Sequence, residues 1–144
     1  MPPPLPRSKN YWVYIFRRDW KFRKDEENCQ GTTHGIQQID QWLGETKWDL
    51  IHFNFGLHHL KHVEPETGKN SKKQEYPRQA EPKQYKKNLK AITEKLVATQ
   101  ARLIFATTTP FPDQVDGPLR EYGDVEHYNS IAFEDHEAAQ DRNQ

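Results

Sequence analysis

The stretch Trp48-Asp-Leu-Ile-His-Phe-Asn-Phe55, closed by Gly56, restricts the fold more than any other part of this chain. It is apolar nearly throughout and rich in aromatic and branched residues. That is the pattern of a strand buried on both faces of a parallel sheet. Tyr11–Phe16 and Ala101–Thr107 read as strands for the same reason. Between these segments the apolar period lengthens from 2 to 3.6. Ile36, Ile39, Trp42 and Leu43 fall at helical spacing over 33–43, with Thr32 or Thr33 as N-cap and Gly44 where a C-cap belongs. Tyr85, Leu89, Ile92, Leu96 and Val97 form one stripe of a helix over 84–99, and another helix begins at Asp124 and turns polar towards Ala139.

Alternation of strand and helix predicts an α/β fold, a three-layer αβα sandwich on a parallel sheet of the flavodoxin-like kind. The sandwich is expected to be incomplete, because a doubly wound domain normally pairs about five strands and this sequence offers three. Such sheets bind ligands at the carboxyl ends of their strands, which directs attention to 28–33, 56–62 and 107–120. Residues 62–82 are Lys, Glu, Gln and Pro with almost nothing to bury, and read as an exposed or mobile loop. The organisation expected is a disordered or replaced N-terminal segment over 1–27, a partial domain over 28–132 and a polar tail over 133–144.

Composition narrows the function classes. The formal net charge is +0, from 21 basic and 21 acidic residues, which argues against broad electrostatic capture of nucleic acid or an anionic membrane. Arg17, Arg18, Lys21, Arg23 and Lys24 interleave with Trp20 and Phe22, but Asp25, Glu26 and Glu27 follow at once, the pattern of a solvated face. No apolar run approaches the ~20 residues needed to span a bilayer. Met1-Pro-Pro-Pro-Leu-Pro lacks the apolar core of a signal peptide. Cys29 is the single cysteine, so there is no intrachain disulfide and compartment stays open, as does oligomeric state.

Four stretches together resemble the SGNH (GDSL-like) ester hydrolases, in particular bacterial members with a Gly-Leu-His form of the third conserved block. They are Asn28-Cys-Gln-Gly-Thr-Thr33, Trp48–His58, Tyr85-Lys-Lys-Asn-Leu-Lys90 with Ala106-Thr-Thr-Thr-Pro110, and Asp124-Val-Glu-His-Tyr-Asn-Ser-Ile-Ala132. Each is weak alone, and their order on an α/β pattern makes the set more specific. The resemblance implies hydrolysis of carboxylic (acyl or acetyl) esters, small-molecule or carbohydrate, by serine acyl transfer with no metal or organic cofactor. It also implies an oxyanion hole. Gly31 aligns with the second-block glycine, whose backbone N–H would face the oxyanion. Its alternative reading is a turn glycine. His58 takes the place of the third-block asparagine, and Asn54 is another polar contributor that could equally satisfy backbone groups. His59 departs from the aspartate of that block.

The nucleophile is missing from the pattern. There is no Gly-Asp-Ser, and Ser8, Ser71 and Ser130 do not follow a strand in a tight turn. Asp124-Val-Glu-His127 has Asp-x-x-His spacing but reads as a helix start. No catalytic residue is therefore assigned, and the expectation is an esterase-like domain without turnover, with both ends of the family pattern replaced. The alternatives are a non-catalytic ligand-binding module, a metal site built from His52, His58, His59 and His62, and thiol chemistry at Cys29 with His34 as base.

Overall fold

The computed structural model describes residues 11–13, 30–111 and 116–141. The expected Pro-rich tail, residues 14–16 of the first strand, the charged run 17–28, Ser8, Cys29 and the final residues 142–144 lie outside them. The element order is β1 (Tyr11–Val13), α1 (Thr32–Leu43), β2 (Leu50–Phe53), α2 (Leu57–Leu60), α3 (Pro82–Ala98), β3 (Arg102–Phe105) and α4 (Asp124–Asp141). The chain is thus a mixed α/β unit. Strand β2 pairs in parallel with β3, Ile51 opposite Leu103 and Phe53 opposite Phe105, and β1 joins its other edge with Trp12 opposite Ile51. None of the described helices is long and apolar enough to cross a membrane.

One correction concerns the sheet. Burial is one-sided rather than two-sided: Ile51 and Phe53 are buried, whereas Leu50 and His52 on the opposite face are only half-buried. In β3 the residues opposite them, Arg102 and Ile104, are exposed. The reason is that α3 packs between α1 and α4 and all three deliver their apolar stripes to a single cluster. Ile39 and Leu43 come from α1, Leu89, Ile92 and Leu96 from α3, and Val125, Ile131 and Ala132 from α4, against Ile51, Phe53 and Phe55. Phe53 and Phe105 meet edge to face at 5.3 Å on that side. Side chains of this size contribute roughly 1.5–3 kcal/mol each when fully buried. The alternation of Leu50, His52 and Asn54 with Ile51, Phe53 and Phe55 is the period-2 pattern of a half-buried strand.

The helix boundaries follow local chemistry. Pro82 opens α3 where a missing N–H costs nothing. Gly44 ends α1 with φ +53 and donates its N–H to Asp40 O. The N-cap of α1 is Gly31, with no side-chain cap bond; Thr32 lies inside the helix and its hydroxyl is used elsewhere, which corrects the expected threonine cap.

Residues 62–82 are also better anchored than expected. Their side chains are mostly exposed, yet the backbone is tied down by bridges between His62 and Arg78 and between Val63 and Asn70. It also bonds to the segment before α4: His62 N donates to Leu119 O, and Leu119 N to Ser71 O. Arg78 completes the attachment through Asp124, with Nε and Nη2 on its two carboxylate oxygens, and through Glu121 at 3.0 Å. The hydrogen bond to Asp124 pushes the guanidinium's pKa further up, and such bidentate pairs fix geometry as well as charge. Tyr128 of α4 donates to Ala80 O at 2.6 Å.

Gly35 sets how closely α1 approaches the core. A Cβ there would lie 2.9 Å from the Phe55 ring and 3.0 Å from Ile92 Cδ1. Alanine gains at most about 1 kcal/mol of helix propensity, while overpacking a filled core costs about 1–3 kcal/mol. Gly35→Ala is therefore expected to lower the thermal midpoint, and Phe55→Leu in the same chain to recover part of it. A stabilised Gly35→Ala variant in a melting experiment would refute this packing.

Candidate functional site

The carboxyl end of β2 meets the start of α1 around the His59 side chain, which is completely buried. The turn that carries it was not legible as a helix: Gly56 is followed by the single turn Leu57–Leu60, with His59 N donating to Gly56 O. The ring is held at both nitrogens. Thr32 N lies 2.7 Å from Nε2, and a backbone N–H can only donate, so Nε2 carries the lone pair. Nδ1 lies 3.0 Å from Gly56 O, which can only accept, so Nδ1 carries the proton. The imidazole is thus neutral and in one tautomer. Burial is the main cause that lowers its pKa, to about 4, partly opposed by the bond to Gly56 and reinforced by the neighbouring His58.

Around this ring the separate stretches interlock. Asn88 of α3 donates to the hydroxyls of Thr32 and Thr33 at 3.3 Å, and Thr32 Oγ1 lies 3.1 Å from His59 Nε2. Tyr85 packs edge to face on the imidazole at 4.6 Å and donates its hydroxyl to Phe55 O at 2.8 Å. Tyr128 lies beside Tyr85, its ring 5.0 Å from that of Tyr85 and 6.4 Å from the imidazole. Burial pushes the phenol pKa of both tyrosines up, so they stay neutral donors. Gly31 sits directly against the ring, where a Cβ would come within 3.2 Å of Nε2.

A second junction joins β2 to β3. Asn54 donates to Ala106 O and lies 3.3 Å from Thr108 Oγ1. Asn129 of α4 then clamps the Thr108 backbone, accepting from its N–H at 2.8 Å and donating to its carbonyl at 2.9 Å. Thr108 presses on Gly56 so closely that a Cβ on Gly56 would lie 1.7 Å from Thr108 Oγ1; only glycine fits.

Of the residues singled out from sequence, Gly31, Asn54 and His58 all stand at this edge. Gly31 adjoins His59. The Asn54 amide is engaged by β3. His58 is half-buried, its Nδ1 enclosed with no hydrogen-bond partner, and burial, then Lys61, then Arg120 lower its pKa. Asp124 is the first residue of α4, with its carboxylate on Arg78. Ser130 is exposed and bonds Glu126 O within α4, and Ser71 lies in the 62–82 loop, where its hydroxyl accepts from Lys73 N. Neither serine joins the His59 cluster by a hydrogen bond. The histidine set does not converge: His59 has both nitrogens committed, His62 donates Nδ1 to Tyr76 O at 2.6 Å, and His52 stands on the half-open face of β2. Among the described residues no group of three or more His, Cys, Asp or Glu could hold a metal ion.

No protein-family model, curated protein or solved structure matches the chain.

His59 gives the site a pH signature. Its folded pKa of about 4 lies below the ordinary histidine value of 6.5, so the unfolded chain binds the proton more readily. The stabilisation is complete above about 6.5 and is lost as pH falls through about 4, amounting to roughly 3 kcal/mol at most. In His59→Leu, Thr32 N–H loses its partner, which costs about 1–3 kcal/mol if it is left buried, while Gly56 C=O keeps the backbone N–H of residue 59. The stability difference between the wild type and this variant, from urea unfolding at a series of pH values, is expected to shrink between pH 6.5 and 4. A difference independent of pH would show that the ring is not held neutral.

Proposed function

We propose that this chain is an SGNH-type esterase-like domain that retains the ligand-facing frame of a carboxylic-ester hydrolase and lacks the chemistry to turn over. The observation that carries the reading is that all four stretches on which the resemblance rests bond to one another at one sheet edge. Asn88 meets Thr32 and Thr33, Tyr85 meets Phe55, and Asn129 meets Thr108.

Within that reading, Gly31 offers a backbone N–H and His58 a ring nitrogen towards the carbonyl oxygen of an acyl or acetyl ester, the donors that would stabilise developing negative charge. Asn54 is a brace for β3 rather than a donor to ligand. His59 explains how the third block tolerates its departure: an aspartate would present an acceptor to Thr32 N–H, and the Nε2 lone pair presents one too. The fold is read as part of a three-layer αβα sandwich. In the flavodoxin-like order 2-1-3-4-5, the strand beside the third is the first. If β2 and β3 are the third and fourth strands, β1 stands in the slot of the strand that precedes the family's serine. The sequence of β1 is followed by no Gly-Asp-Ser.

Losing a triad member costs several orders of magnitude in rate. The purified chain is therefore expected to hydrolyse p-nitrophenyl acetate no faster than a His58→Ala control. Turnover well above the control would contradict the absence of a nucleophile, and substitution of Ser130 and Cys29 would then locate it.

A further inference from the structure

Strand β3 has one edge paired and one edge open. Arg102 N donates to Asp49 O at 3.0 Å and Ala106 N to Phe53 O at 2.8 Å. Alternate residues of β3 thus turn their backbone groups to β2, and the N–H and C=O of Leu103 and Phe105 turn the other way. β3 ends the sheet order β1-β2-β3, and among the described residues no strand pairs with its outer edge. Thr99 Oγ1 takes the Ala101 N–H, so the open groups begin at Leu103. Little blunts them: Arg102–Phe105 contains no proline, Arg102 is its one charge, and Ile104 is 39% exposed.

The helical layer reaches past this edge. Packed helices stand about 8–10 Å apart and paired strands about 5 Å apart. Helices α1, α3 and α4, side by side on one face of strands β1, β2 and β3, therefore overhang the sheet. The helix over the β3 side is α4, since α3 lies between it and α1 and Asn129 holds Thr108. Its outer flank carries Phe133. Glu134 reaches back to Lys86 of α3, whereas Phe133, about 100° round the helix and one turn on from Asn129, lies on the side away from α3. Its side chain is 57% exposed. An open strand edge beneath an apolar ring makes a slot one strand wide. A second folded copy joined edge to edge would drive its own overhanging α4 into this one.

We propose that the slot takes a single extended segment of another polypeptide, added to the sheet as a strand beside β3. Its backbone bonds to Leu103 and Phe105, and its alternate apolar side chains lie under Phe133. The side chains between them point to the open face of the sheet. There Arg102 is exposed and forms no salt bridge among the described residues, so an acidic residue beside it is favoured. The proposal goes beyond the ester-hydrolase reading and does not depend on it.

The test is an NMR titration of the isotope-labelled full chain with a short end-blocked peptide of alternating valine and glutamate. Saturable shifts of the Leu103 and Phe105 amides are expected, with half-saturation on the order of 0.1–1 mM, together with slower hydrogen exchange at both. Methylating the alternate peptide amides of one edge should abolish binding, and methylating those of the other edge should leave it intact. Phe133→Ala, checked for an unchanged melting midpoint, is expected to weaken binding about tenfold. Arg102→Gln should weaken it too, while sparing a peptide with threonine in place of glutamate. Absence of saturable shifts with both peptides, binding that survives both methylation patterns, or full-strength binding to folded Phe133→Ala would overturn the proposal. So would protection of Leu103 and Phe105 that rises with the concentration of the chain alone, which would give the edge to a second copy.

Discussion

A single imidazole holds the carboxyl edge of this sheet together. His59 receives the first N–H of α1 and gives its own proton to the turn after β2. Aromatic rings from α3 and α4 pack against it. A helix N-terminus leaves N–H groups without partners inside the helix, and here one is buried and must be met from outside. An ionised group would face a heavy desolvation cost at this depth. A neutral ring with one donor and one acceptor meets both backbone demands without any charge. The close approaches at Gly31 and Gly35 follow from the same need to bring α1 hard against the ring and the Phe55 side chain.

The second junction obeys similar logic with amides. Asn54 and Asn129 grip the backbone just beyond β3, and Thr108 is forced onto Gly56. Polar groups are thus spent on architecture at the place where this class of sheet usually binds ligands. Gly31 and the half-buried His58 stand beside these two junctions. Ser71 and Ser130 lie elsewhere.

Much of the frame could be read from the sequence, since periodicity is a local signal. The period of Ile36, Ile39 and Leu43 gave α1, the stripe from Tyr85 to Leu96 gave α3, and Asp124 marked the start of α4. Gly31, Asn54 and His58, singled out from the sequence, stand at one edge of the sheet. The role of His59 was not legible, because a histidine in a run of four can be a ligand, a base or a packed ring, and only tertiary burial chooses among them. The anchoring of 62–82 was hidden for a related reason. Its bonds reach Leu119, Glu121 and Asp124, far away in sequence, and a polar segment gives no hydrophobic pattern to announce them. Two-sided burial of β2 was an overreading of its apolar content, where the alternation through His52 and Asn54 was the better guide.

The claim on which this account turns is that His59 is a neutral clamp with its proton on Nδ1. Long-range proton–nitrogen correlation spectra of the labelled chain at neutral pH report the tautomer directly. The account predicts a protonated Nδ1, an unprotonated Nε2 in the shift range of a hydrogen-bond acceptor, and no change on moderate acidification. A protonated Nε2, or a ring averaging between tautomers as a solvated histidine does, would contradict it.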